Sequence, residues 1–220
     1  MAELAYAKKS IAWYDNLAYC VGLLTSDGNL SKDGRHITLV SKDKEVIKTF
    51  KDCLRLSNRI AVKNSGFNKS GSYYYLQFGD TKLYRWLNSI GIHQNKSKTI
   101  SSLRIPNKYF FHFLRGLLDG DGCITSFKHP ESKHCQIRVK FCSASKDFIH
   151  WLDSKIYKLL SIKGSIQSLP RIFELIYYKS DSIKLLKRIY RKAFVFLERK
   201  RDKARSLLGG GWCNWQTREA

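Results

Sequence analysis

The stretch "FLRGLLDGDGCI", residues 113–124, decides how the rest of the chain is read. Two aspartates and three glycines stand where an apolar run ends. Gly122 suits the end of a helix, because glycine readily takes the left-handed conformation that terminates one. Asp121 is harder to place: a carboxylate at a helix C-terminus faces the negative end of the macrodipole, at a cost of a few tenths of a kcal/mol or more. Taken alone, the pair is an ordinary cap or turn. The chain holds a second copy, however. In "AYCVGLLTSDGNL", residues 18–30, Gly-Leu-Leu is again followed, two residues later, by Asp-Gly.

The repetition continues beyond these stretches. After the first Asp-Gly comes "HITLVSKDKEVIKTFKDCL" (36–54), and after the second "QIRVKFCSASKDFIHWLDSKI" (136–156). Each is an alternating run followed by a helical pattern, with apolar stripes at Val46, Ile47, Phe50, Leu54 and at Phe148, Ile149, Leu152, Ile156. Strand pairs follow at 59–64 and 72–78, joined across Gly66 and Gly71, and at 164–170 and 171–178. Helices at Leu83–Ile90 and Ile183–Tyr190 close the copies. The second copy trails the first by 94 residues at the Asp-Gly, 102 at the middle helix and 100 at the last helix. The chain is therefore expected to be α+β, with two pseudo-symmetric αββαββα halves. The halves span 12–100 and 108–208, the linker 101–107 carries Pro106, and 209–220 reads as a flexible tail outside both cores.

Gly22 and Ser26 are four residues apart in the first helix, as are Gly116 and Gly120 in the second. Small residues at that spacing let two backbones approach closely. A glycine inside a helix costs about 1 kcal/mol relative to alanine, so its use in both copies points to a packed helix pair at the centre of the molecule. Asp27 and Asp121 would then stand at adjacent helix ends and repel one another. A divalent cation removes that penalty, and paired carboxylates suit Mg²⁺, or Mn²⁺ or Ca²⁺ in the same place.

Charge narrows the partner. With 40 Lys+Arg against 18 Asp+Glu the net charge is +22, a field that attracts polyanions, nucleic acid first and an anionic membrane surface second. No stretch approaches the ~20 apolar residues of a membrane span, and the run 17–24 lacks the features of a secretory signal. The six cysteines (20, 53, 123, 135, 142, 213) contain no CxxC and read as reduced thiols. His129, His134, Cys135 and Cys142 match no common zinc spacing. A cytoplasmic or organellar location is expected.

"GLLTSDG" and "LRGLLDGDG" resemble the paired motifs of the LAGLIDADG homing endonucleases, in the single-chain form that carries two motifs. The second copy matches closely. In the first, Thr25 and Ser26 replace the usual acidic-and-small pair, while Asp27 and Gly28 remain. The resemblance implies a monomer whose two antiparallel sheets form a saddle over double-stranded DNA, with the motif helices at its centre. It also implies metal-dependent hydrolysis of both strands of a long asymmetric site, leaving short 3′ overhangs, by a protein encoded within an intron or similar element. Asp27 and Asp121 would hold the metal; Thr25 occupies the place equivalent to Asp119, so metal binding does not require an acid at both. A lysine near each centre is implied as well: Lys96 and Lys200 match best, and Lys98 and Lys203 are close rivals. An RNA-splicing maturase or a non-cleaving DNA-binding regulator on the same fold is the alternative.

Strand alternation then selects a DNA-facing surface. In the second half Ile137, Val139 and Phe141 face inward, leaving Gln136, Arg138 and Lys140 outward, with Thr125 and Lys128 beside them. In the first half Ile37 and Leu39 face inward, leaving His36 and Thr38 outward, extended by Asn29, Ser31, Lys32 and Arg35. Lys63, Tyr73, Tyr75 and Gln77 on one later hairpin correspond to Gln167, Arg171 and Glu174 on the other. Arg, Lys and Gln suit base edges, and Lys and Ser suit phosphates.

Overall fold

The computed structural model describes residues 11–64, 72–128 and 135–208, except the side chains of Lys63, Asn64, Ser72, Lys128 and Cys135. The expected contacts of Lys63 and Lys128, the pair His129 and His134, and the tail 209–220 therefore lie outside the described residues.

The first half runs α1 (Asp15–Asp27), β1 (Gly28–Leu30), β2 (His36–Ser41), α2 (Lys44–Cys53), β3 (Ala61–Asn64), β4 (Ser72–Gly79) and α3 (Thr81–Ile90). The second repeats it as α4 (Phe110–Gly120), β5 (Cys123–Lys128), β6 (Cys135–Ser143), α5 (Lys146–Leu160), β7 (Ser165–Leu169), β8 (Ile172–Tyr178) and α6 (Lys179–Tyr190). Each half forms a four-stranded antiparallel sheet, in the order β1-β2-β4-β3 and β5-β6-β8-β7. A further helix, α7 (Glu198–Leu207), follows the second half.

One face of each sheet is buried under its helices. Ile37, Leu39, Leu76 and Phe78 point into the first core with Val46, Ile47 and Phe50 of α2. Ile137, Val139, Phe141 and Leu175 point into the second with Phe148, Ile149 and Leu152 of α5. The alternate residues of β2, β4 and β6 face outward, as their period of two dictates. Between the halves, residues 91–106 carry no regular element, yet Ile92, Ile100, Leu103 and Ile105 are buried. The Arg104 amide donates to the Ile90 carbonyl (3.0 Å), and the Ser145 hydroxyl to that of Ile100. The connector is thus part of the core.

The centre is the α1–α4 pair. Gly116 lies against Tyr19, Gly22 against Phe113 and Leu117, and Gly120 against Ser26 and Asp27. Residue numbers rise together along the contact, so the helices run parallel and their C-termini meet. The approach leaves no room for a side chain. A Cβ at Gly22 would lie 2.6 Å from the Leu117 nitrogen and nearer still to the Phe113 carbonyl oxygen, and one at Gly116 would collide with the carbonyl of Tyr19.

Gly28 and Gly122 depart from the expectation for helix-ending glycines. Gly28 has φ −83° and ψ 150°, an extended conformation open to any residue, and Gly122 is not among the positive-φ residues. Their requirement is steric: a Cβ would lie 2.6 Å from Leu24 Cα at Gly28 and 2.6 Å from Leu118 Cα at Gly122. The chain doubles back so tightly from helix to strand that only glycine fits.

Candidate functional site

Parallel packing brings Asp27, the last residue of α1, and Asp121, the residue capping α4, to one place. The Asp27 carboxylate reaches across its neighbour, so a Cβ at Gly120 would lie 2.9 Å from Asp27 Oδ2. Loss of hydration, with repulsion from Asp121, pushes the Asp27 carboxyl up to about 6. Asp121 is also raised by lost hydration, against the pull of Lys200 and Lys96.

Two buried lysines close the ends of the helices. Lys96 is 6 % exposed and donates to the Gly28 carbonyl. Lys200 is 7 % exposed and donates to the carbonyls of Leu118 (2.5 Å), Asp119 (2.9 Å), Gly120 (3.2 Å) and Gly122 (2.8 Å). Gly28 and Gly122 are equivalent positions of the two copies, so the two lysines play matching parts. Each sets a cation on the negative end of a macrodipole, and Lys200 also satisfies carbonyls that the last turn of α4 leaves open. Burial lowers the Lys96 ammonium to about 8 despite attraction to Asp27 and Asp121, and lowers Lys200 likewise against Asp119. Lys98 and Lys203 are exposed.

Lys200 arrives on α7, which has almost no apolar stripe: of its residues only Lys200 and Ala204 are buried. Polar contacts hold it instead. Arg199 Nε pairs with Asp43 Oδ2 (2.9 Å), the Glu198 amide donates to Glu45 Oε1 (3.0 Å), and Arg201 lies 4.1 Å from the Phe196 ring. The chain entering α7 is fixed from α4. Arg115, 2 % exposed, donates to the carbonyls of Val195 (2.6 Å) and Ile189 (2.8 Å).

Asp119 belongs to that same support. Its carboxylate is 1 % exposed and accepts from the Tyr19 hydroxyl (2.9 Å) and the Leu197 amide (2.8 Å). It ties α4 to α1 and to the start of α7, and burial raises it to about 6. The pseudo-symmetric counterparts of Tyr19 and Asp119 are Phe113 and Thr25, where both polar groups are missing together, and the Thr25 hydroxyl turns back to the Val21 carbonyl (2.7 Å). Thr25 is therefore a matched change of a pair rather than decay of the motif. Tyr19→Phe is expected to cost about 1.5–3 kcal/mol, the worth of a hydrogen bond to a charged group. In an Asp119→Thr background the same change should cost less than half as much, measured by urea unfolding as a double-mutant cycle. Equal costs in both backgrounds would remove the pairing.

Two cavities flank the carboxylates in matching positions. One, of about 90 Å³, is lined by Thr25, Ser26, Asp121, Ser97, Cys142 and Ser143. The other, of about 370 Å³, is lined by Asp119, Gly120, Asp27, Ser41, Lys42 and Arg199. The two centres are alike in plan and unlike in chemistry.

Beyond the centre lie the outward sheet faces. In the first, Asn29, Thr38 and Gln77 form one cross-strand row, and Tyr75 stands beside Val40. Lys32 and Arg35 are exposed, Ser31 and Tyr73 half-buried. Not every outward polar group there is unengaged: Asp33 holds His36, whose ring also meets Arg35 (3.2 Å). In the second, Thr125, Arg138 and Tyr178 share a row, and Gln167 and Glu174 share another with Cys142. Gln136 stands opposite Phe127, and Arg171 occupies the β7–β8 turn with φ 69°. Glu174 binds Lys140 (2.7 Å), so these two expected DNA contacts neutralise each other. Phe127, Cys142, Ile176 and Tyr178 also lie on this face, and the sequence did not single them out as DNA-facing.

No family model and no curated sequence matches the chain. Solved structures do. I-AabMI, a LAGLIDADG meganuclease bound to uncleaved DNA, superposes with a TM-score of 0.60 at 15 % identity over 89 % of this chain and 91 % of its own. The N-terminal LAGLIDADG domain of DUF199/WhiA gives 0.55 at 15 % identity, covering 89 % and 91 %. I-SmaMI, bound to an uncleaved DNA target in the presence of calcium ions, gives 0.59 at 10 % identity, covering 94 % and 95 %. The fold is that of the LAGLIDADG proteins, two αββαββα halves joined through their motif helices.

Proposed function

We propose that the chain is a site-specific endonuclease of double-stranded DNA. In this reading it acts as a monomer, hydrolyses one phosphodiester in each strand of a long asymmetric site, and leaves short 3′ overhangs. One observation carries the reading: two carboxylates are held together at adjoining helix ends, in surroundings that disfavour their charge, with a buried lysine fixed behind each. Such an arrangement is expensive for a module that only grips phosphates, since acids beside phosphates repel them.

The donor set suits a hard cation. Among the described residues no cluster of three His, Cys, Asp or Glu exists. The ligands would be Asp27 and Asp121 with backbone carbonyls and water, an all-oxygen set appropriate to Mg²⁺, Mn²⁺ or Ca²⁺. Such a cation, when bound, supplies an activated water and charge stabilisation at the phosphate. The chain's own residues do the rest. Asp27 and Asp121 would hold that cation at the meeting helix ends, and so set where it can meet the scissile phosphates. Lys96 and Lys200, anchored to the carbonyls of Gly28 and Gly122, hold positive charge beside the developing negative charge. The outward sheet faces orient the duplex through rows of unlike side chains, which favours a non-palindromic target. A charge of +22 brings the polyanion in.

Selection from a randomised duplex library in Mg²⁺ tests the proposal. Recovered cleavage products are expected to share one asymmetric sequence with a break in each strand, and chelation is expected to stop the breaks while binding persists. Salt-dependent binding with no metal-dependent cutting would favour the maturase or regulator reading instead.

A further inference from the structure

We propose that Arg138 is a specificity-determining residue that reads a single guanine in the major groove, its guanidinium held ready by Phe127 and Tyr178. The inference rests on the DNA-binding reading above and assigns one base of the target to one side chain.

Arg138 stands on β6, an inner strand of its sheet, with β5 on one side and β8 on the other. Its side chain is exposed on the outward face. The guanidinium carbon lies 4.4 Å from the ring centroid of Phe127 and 5.2 Å from that of Tyr178, so an aromatic ring flanks it from each neighbouring strand. Tyr178 is its direct partner in the β6–β8 ladder, and Phe127 sits two residues along β5 from its partner Thr125. Both rings lie within cation–π reach of the guanidinium carbon, an attraction that needs no hydrogen-bond acceptor and so does not consume its N–H donors.

Its neighbours on these faces are differently placed. Lys140, two residues along the same strand, is paired with Glu174, and His36 in the first half is held by Asp33. Among the described residues no carboxylate pairs with Arg138. It is therefore a cation already ordered, with a free fork of donors, on the floor of the sheet rather than on a loop at its rim. That fork matches the O6 and N7 acceptors of guanine, the one base whose major-groove edge offers two acceptors side by side. Ordering the side chain before binding removes part of the entropy that a flexible arginine would lose. A phosphate needs no such flat, fixed presentation, and lysines at the rim suffice for it.

The test compares the full chain with Arg138→Ala and with Phe127→Leu/Tyr178→Leu, each by binding selection from randomised duplexes, after thermal melting shows that all remain folded. The full chain is expected to recover a site with guanine fixed at one position. Arg138→Ala should recover the same site with that position unconstrained. Its affinity for the guanine-bearing duplex should fall roughly 10- to 100-fold, and its affinity for other bases there should hardly change. The double aromatic variant should keep the preference in weakened form. Equal loss on every duplex with an unchanged base pattern, and a salt slope lowered by about one, would make Arg138 a phosphate contact and overturn the proposal. Retention of the guanine by Arg138→Ala would overturn it too. A full chain that recovers no common sequence would instead overturn the DNA reading beneath it.

Discussion

Gly116→Val is expected to destabilise the protein by at least ~3 kcal/mol, a large share of the roughly 5–15 kcal/mol that holds a domain folded. The reason is backbone against backbone. A Cβ on Gly116 runs into the Tyr19 carbonyl, lies 2.9 Å from its carbon and 3.2 Å from Gly22 Cα, and none of these atoms can rotate away. The helices must separate, and everything hung on their joined ends moves with them. Gly34→Ala is the control. Gly34 has φ 74° and nothing within 4 Å of the place a methyl group would take, so only the left-handed strain of about 1 kcal/mol remains. Urea unfolding of both variants measures the contrast. Similar midpoints would show that the α1–α4 contact is looser than its geometry.

Asp27→Asn is expected to do two opposite things: raise the stability of the metal-free protein and remove its activity. Asp27 has an ordinary carboxyl value of 3.8 in the unfolded chain and is pushed up to about 6 in the folded one. The folded state thus binds the proton more tightly than the unfolded state. The associated stability is fully present below about pH 4, drains away as pH rises toward 6, and is missing above it. A tenfold difference in proton affinity between the two states corresponds to about 1.4 kcal/mol, so at pH 8 the ionised carboxylate penalises the fold by on the order of 1–3 kcal/mol. Asparagine keeps the shape and carries no charge. Its thermal midpoint should exceed the parent's at pH 8 by several degrees, and the two should converge near pH 4. A variant no more stable than the parent at pH 8 would show that Asp27 bears no electrostatic strain. A stabilising change that destroys function is the mark of a residue kept for chemistry.

The sequence discloses some of this and hides the rest for physical reasons. The Gly116–Gly120 and Gly22–Ser26 spacings are legible because close helix contact admits few residue types, and the strand faces are legible because alternation has a fixed period. Helix α7 is not. Its segment "ERKRDKARSL" offers two buried residues, one of them a lysine, so no hydrophobic period announces it. The Tyr19–Asp119 bond joins residues 100 apart. It becomes visible only when the copies are aligned at the Asp-Gly and Phe113 with Thr25 is seen to lack both halves of the pair. Gly28 and Gly122 were legible as glycines but not for the right cause, since crowding against Leu24 and Leu118 depends on the angle at which helix meets strand. Arg138, Phe127 and Tyr178 become neighbours only through the register of three strands, and that register is a property of the folded sheet.

The most direct measurement is strand scission on the duplex recovered by selection, in Mg²⁺, by the parent, Asp27→Asn and Asp121→Asn, with each strand labelled separately. The parent should break both strands. Each variant should bind the duplex with little loss while its double-strand cleavage falls by more than roughly a hundredfold. Full cleavage of both strands by both variants would contradict the assignment of Asp27 and Asp121 as the reacting centre.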